Sequence, residues 1–243
     1  PGDVPLPPEF VPSPALDALG EALADALGRG LSRPPAFDVP ISSLLPRRGA
    51  GGGGGGAGGF AGGGGAPAAR SRLQIPKQAA RGGAAIGAAV AYRDRDAAAL
   101  REYGITLAEL DAMGPRQRNA VILDLILGDA GHPDEAAVRA AALEQVKVLT
   151  GPEGATRTTL EALRAFIGEL VVRIGLVELR DQILAKTATR AEVRRRETVL
   201  RQWVASKVHH LDLARYGSVS SGDCHKAAAR MATDALRLMR KKK

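Results

Sequence analysis

The sequence predicts an all-α protein: a helical bundle of about six to seven helices preceded by an extended Gly/Pro-rich N-terminal arm. Three observations lead there. The 30 Gly and 15 Pro of the 243 residues gather toward the N-terminus, which leaves one modest domain able to bury a core. Aromatic residues are 3% of the chain and Trp203 is its single tryptophan, so the core must be filled by Leu, Val, Ile and Ala, which suit close helix packing. From residue 94 onward, capping residues and stop glycines recur at helix-length intervals. The chain accordingly divides into an arm (1–48), a Gly/Ala-rich linker with a small-residue segment (49–93) and a helical domain (94–243) that ends in basic helices.

Within the arm, Pro5, Pro7, Pro8, Pro12 and Pro14 fix φ and remove backbone donors, which favours an extended or polyproline-type start. Ser13 as N-cap, Pro14 at the first helical position and Leu16, Leu19, Leu23 and Leu27 then predict a short amphipathic helix over about 14–28, stopped by Gly28. So short a helix is marginal alone in water and needs a surface for its leucine stripe. The sequence reading is a docking helix that lays these four leucines into a groove on another chain, with its own C-terminal domain as the alternative receptor. A second apolar cluster (Phe37, Val39, Ile41, Leu44, Leu45), broken by Pro34, Pro35, Pro40 and Pro46, reads as an extended contact segment.

Residues Gly49 to Ala66 are nearly pure Gly and Ala. As a flexible tether they span roughly 23 Å on average and reach about 60 Å. No G-x-x-x-x-G-K-[ST] pattern occurs, which argues against a phosphate-binding loop. Gly82 to Tyr92 is apolar and small, with Gly83 and Gly87 in G-x-x-x-G spacing. It is too short to span a bilayer and suits close approach of two helices.

The predicted domain opens with a helix from Asp94 to Tyr103, closed by Gly104. Thr106 and Glu109 form a capping box for a short helix ending at Met113, and Gly114-Pro115 starts the next, with Val121, Ile122, Leu125 and Ile126 on its apolar side and Gly128 at its end. Pro133 to Leu149 is a further helix, carrying Asp134 and Glu135 in its electropositive first turn. From Thr159 to Lys186, Leu160, Leu163, Ile167, Leu170, Ile174 and Val177 form a heptad seam. Phe166, Val171, Leu176, Leu179 and Ile183 make other faces apolar too, which predicts a central helix; a homo-oligomer seam is the alternative. Thr189 and Glu192 form a capping box for a helix running to about Tyr216, with Val193, Leu200, Trp203, Val204, Val208 and Leu211 apolar. Asp223 is the expected cap of the last helix, which carries Met231, Leu236 and Met239.

Charge is distributed unevenly. Residues 94–187 hold 11 basic and 15 acidic residues, a net of −4, whereas 188–243 hold 14 basic and 5 acidic, a net of +9. The expected binding surface is therefore the exposed side of the penultimate helix, Arg190, Arg194, Arg195, Arg196, Arg201 and Lys207, together with the terminal Arg240, Lys241, Lys242 and Lys243. Such groups attract phosphates through counterion release, or an acidic protein surface, without special geometry.

The single Cys224 excludes an internal disulfide, and His209, His210, Cys224 and His225 match no metal or nucleophile spacing. The acidic pairs sit in helix first turns, where the helix dipole accounts for them. No catalytic residue, metal or cofactor is predicted. No run of 18 apolar residues suggests a membrane span. The reading is a non-enzymatic structural or assembly protein of a multi-subunit complex, in a virion such as a phage head or neck or in the cytoplasm, with other protein subunits as partners and a homo-oligomer open to it. The alternative is a DNA- or RNA-binding protein using the basic C-terminal helices.

Overall fold

A computed structural model describes residues 75–131, 133–185 and 190–240, with side chains described throughout except at 177–185, 190, 192, 193, 195, 196 and 240. The arm with Leu16, Leu19, Leu23 and Leu27, the tether, Thr189 and Lys241 to Lys243 lie outside the described residues, as do the side chains of Val177, Leu179 and Ile183.

The described chain is all-α: α1 (Ile75–Arg93), α2 (Ala97–Glu102), α3 (Leu107–Asp111), α4 (Pro115–Leu127), α5 (Pro133–Thr150), α6 (Thr159–Ala185), α7 (Arg190–His209) and α8 (Cys224–Arg240), with short 3-10 turns at Pro152–Thr156, Leu213–Tyr216 and Ser221–Asp223. None of these helices is long and apolar enough to cross a membrane.

The described bundle begins at Ile75, so the small-residue segment that the sequence places before the domain, in 49–93, is part of its first helix. Of the 19 residues of α1, 15 are buried, and α2, α4, α5, α6 and α8 pack around it. The expectation of close approach at the small residues is met there. A Cβ placed on Gly83 would lie 2.5 Å from Ala228 Cβ and one on Gly87 would lie 3.2 Å from Cys224 Cβ, so α1 and α8 run antiparallel with their backbones nearly touching. On another side, a Cβ on Gly82 would lie 2.1 Å from Cζ of Phe166, whose ring occupies the space that glycine leaves.

The small elements follow their local chemistry. Asp96 accepts from the Ala99 amide at 3.0 Å, so α2 starts at Ala97, after Arg95 takes a left-handed φ of 59°, and not at Asp94. The capping box of α3 forms as expected, with the Glu109 amide donating to Thr106 Oγ1 at 3.2 Å and the Thr106 amide to Glu109 Oε2 at 2.8 Å. Pro115 opens α4, and Gly128, at φ 67°, ends it. The last carbonyls of α4 are then capped by arginines from other helices: Arg81 donates to Leu127 O at 2.7 Å and Arg139 to Gly128 O at 3.0 Å.

In α6, Leu163, Ile167, Leu170 and Ile174 are fully or almost fully buried within the bundle, as are Phe166 and Val171. The seam from Leu163 to Ile174 is therefore internal core, while Leu160 at its start is half-buried against it. α7 stops at His209 and does not reach Tyr216, because Asp212 accepts from the Ala214 amide at 3.1 Å and starts a separate turn that Gly217 closes. Leu200, Val204, Val208 and Leu211 are buried and Trp203 is half-buried. The 3-10 turn that leads into α8 is capped by Ser220, whose hydroxyl accepts from the Asp223 amide at 3.2 Å, and Asp223 is the last residue of that turn, directly before α8. Met231, Leu236 and Met239 are buried as expected.

Candidate functional site

The predicted basic surface is only partly assembled. Arg194 is exposed on α7, while the side chains of Arg190, Arg195, Arg196 and Arg240 lie outside the described set. Arg201 turns toward α6, donating from Nη1 to both Glu169 oxygens at 3.2 and 2.9 Å. Lys207 sits with its Nζ 5.7 Å from the centroid of the Trp203 ring. At 3.6 residues per turn, Arg194 and Arg201 share the side of α7 toward α6, and Lys207 lies about 120° away around the helix. Two of the expected phosphate contacts are thus engaged within the chain, on different faces of one helix.

The residues beside Arg201 form a cleft of about 420 Å³ on the outer surface of α6, between α5 and α7. Its floor is small and apolar because Ala165, Gly168 and Val172 come from α6 and Ala205 and Val208 from α7. A Cβ on Gly168 would find only Val208 Cγ1, at an ordinary 3.8 Å, so open space lies above this glycine. Arg157 and Arg164 stand at the end nearest the start of α6, and Gln145 of α5 forms one wall. Arg93, at the end of α1, fixes this corner by donating to Arg157 O at 2.7 Å.

The carboxylates of the cleft are each committed elsewhere. Glu161 accepts from the Thr158 amide at 3.0 Å and from its hydroxyl at 2.8 Å, closing a capping box at the start of α6, and these bonds hold its carboxyl below the ordinary range. Glu169 is bracketed by Arg173 at 2.8 Å and Arg201 at 2.9 Å, and Glu144 pairs with Lys147 at 3.3 Å. Arg157 and Arg164 add to the lowering of Glu161 through their charge. Among the described residues, no hydrogen bond or ion pair ties either guanidinium to a carboxylate, and Nε of Arg157 and Oε1 of Gln145 are buried without a hydrogen-bond partner. The cleft thus presents an apolar floor with two cationic groups at one end.

The cysteine and histidines do not converge. His209 and His210 are exposed, their ring centroids 6.3 Å apart, while Cys224 and His225 are buried where α8 meets α1. Burial, reinforced by neighbouring Asp223, pushes the Cys224 thiol up to about 12, opposite to the shift that activates a nucleophilic thiolate. Tyr103 lies beside it, its hydroxyl donating to Ser221 O at 3.1 Å and raised by burial. Among the described residues there is no group of three or more His, Cys, Asp or Glu able to hold a metal ion.

Sequence reasoning missed the cleft because its walls come from three helices. The available signal was local: Ala165 and Gly168 fall on the side of α6 roughly opposite the heptad seam and carry too little side chain to fill it. No protein-family model, curated protein or solved structure matches this chain.

Proposed function

We propose that the chain is a non-enzymatic assembly component, a helical bundle held to neighbouring subunits of a larger complex by the segment that precedes it. The observation that carries this reading is where the apolar surface goes. In the bundle, the G-x-x-x-G helix and the heptad seam from Leu163 to Ile174 are consumed in the core. The other strong amphipathic stripe in the sequence, Leu16, Leu19, Leu23 and Leu27, lies upstream beyond a Gly-rich tether and still requires a surface.

The test is sedimentation of extracts from the native host carrying tagged full-length chain or residues 67–243. The full-length chain is expected in high-mass fractions and the shortened chain in free fractions, with both unfolding cooperatively after purification. A shortened chain that still enters the complex overturns the reading.

Nucleic-acid binding is a second reading, supported by the net +9 of residues 188–243 and the exposure of Arg194. It requires duplex affinity that falls steeply between about 50 and 200 mM salt and is lost when Arg194, Arg195 and Arg196 become Ala. Binding that is absent or indifferent to salt removes it.

A further inference from the structure

We propose that the cleft between α5, α6 and α7 receives the leucine helix predicted at residues 14–28 of the same chain, so that the free subunit covers its own docking stripe. This rests on reading residues 14–28 as a docking helix. Its support is chemical fit, charge and reach.

The fit is between a leucine stripe and a floor of small side chains. With Leu16, Leu19, Leu23 and Leu27 on one side, the flanks of that helix are Ala and Gly, including Ala15, Ala22, Ala26, Gly20 and Ala24. Such a slim helix can settle into a narrow groove, and 420 Å³ accommodates roughly two or three leucine side chains. The cleft's three arginines and three glutamates balance in number, but Glu144, Glu161 and Glu169 are held by Lys147, Thr158 and the Arg173–Arg201 pair, so the complementarity is local, at the end where Arg157 and Arg164 stand. Residues 13–28 contain Asp17, Glu21 and Asp25 and no Lys or Arg, and these acids lie away from the stripe, with Asp17 nearest its edge. The long side chains of Arg157 and Arg164, not bonded to any described carboxylate, stand beside the floor, and Arg194 is exposed further along α7.

Reach favours the same chain over a neighbour. Residues 29–74 link the helix to Ile75, and a flexible chain of that length spans roughly 37 Å on average. Arg93, at the far end of α1, contacts Arg157 at the edge of the cleft. The span from Ile75 is therefore set by the length of α1, about 27 Å. A tether whose average span is close to the distance required gives a high effective concentration in cis.

The experiment uses the full-length chain with Ala24→Cys in the predicted helix and Ala205→Cys at the cleft, the buried Cys224 serving as an internal bystander. Under mild oxidation we expect an intramolecular disulfide forming at least about tenfold faster than in a chain pairing Ala24→Cys with Asp129→Cys, an exposed site outside the cleft. Gly168→Leu, which fills the floor, and Arg164→Glu, which reverses a charge at its end, should each return the rate to that control, with thermal melts confirming that the bundle is folded. Gly168→Ala, which adds only a methyl group, supplies a milder block should Gly168→Leu fail to fold.

Equal rates for the two cysteine pairs, or a fast rate that survives both substitutions, overturns the proposal. So does a disulfide that forms only between chains, which would place the helix on a neighbour. If residues 67–243 fall out of the host complex but no cleft disulfide forms, the assembly reading stands and this inference fails. A cleft disulfide alongside a shortened chain that still assembles gives the reverse.

Discussion

Replacing Gly83 by Ala inverts the usual effect of that substitution in a helix. In an open helix interior the change gains about 1 kcal/mol, because glycine loses more backbone freedom on folding. In α1 the added Cβ would lie 2.5 Å from Ala228 Cβ, 2.8 Å from Cys224 O and 3.1 Å from His225 Cα. Two of these three atoms are backbone and the third is a methyl carbon fixed to it, so no side-chain rotation relieves the contact. Ordinary carbon contacts lie near 3.5–4.0 Å, so α8 must retreat by about 1 Å, enough to forfeit a quarter to a half of the dispersion energy of each contact along the pair.

A shift of that size belongs at the upper end of overpacking costs, about 3 kcal/mol. Less the intrinsic gain, Gly83→Ala is expected to destabilise by about 2 kcal/mol, or about 4–8 °C in Tm for a chain of this size. Gly168→Ala is the matched control. Its Cβ meets only Val208 Cγ1 at 3.8 Å, so it should keep the intrinsic gain and raise Tm by about 2 °C. The assay is thermal and urea unfolding of the full-length variants followed by circular dichroism, with equal m-values showing that the same transition is compared. A Gly83→Ala chain as stable as the parent would refute the argument that α1 and α8 meet through backbone.

Two further outcomes follow from the electrostatics. Arg95 and Tyr92 hydrogen-bond the Asp111 carboxylate and hold it at about 2, below its ordinary 3.8, so the stabilisation from this clasp is present above the ordinary value and lost as pH falls from there toward 2. The urea midpoint of the parent should therefore exceed that of Asp111→Asn at pH 5 and approach it near pH 2, and a difference constant with pH would refute the assignment. Cys224 should be silent to a thiol reagent in the folded chain at pH 8 and should titrate as one thiol in denaturant, since burial pushes it up to about 12; rapid labelling of the native chain would show that the α1–α8 contact opens.

Where a residue's own chemistry decides its structure, the sequence was sufficient. Thr106 with Glu109, Pro115, Gly104 and Gly128 each act through a local hydrogen bond or a backbone angle, and each marks the structure as expected. The heptad pattern of α6 correctly identified buried positions, because apolar side chains recurring on one helical face have to be covered. The errors share a different cause. The G-x-x-x-G segment of α1 signals close helix packing, but its place in the domain and its start at Ile75 do not show in the sequence, because alanine and glycine carry weak hydropathy signals and no stripe stands out where nearly every face is buried. What makes α1 central is the absence of side chains at Gly82, Gly83 and Gly87, and an absence becomes informative only once Phe166, Ala228 and Ser221 occupy the space. Likewise α7 ended early because Asp212 bonded to its own backbone, a competition that apolar spacing does not register.

The same distinction governs the basic surface. A count of positive residues treats Arg201 and Lys207 as equivalent to Arg194, yet Glu169 and Trp203 engage the first two within the fold. The sign of charge along a segment is legible from composition, but the charge available to a partner depends on which carboxylates and rings folding brings within reach. By that criterion the exposed Arg194 counts most, and Arg157 and Arg164, which among the described residues are hydrogen-bonded to no carboxylate but share the field of Glu161, come next. They flank a groove whose open floor depends on Gly168. Charge at the cleft and emptiness beneath it are therefore separable properties: Arg164→Glu alters the first and Gly168→Leu the second, and a ligand that needs both must respond to each.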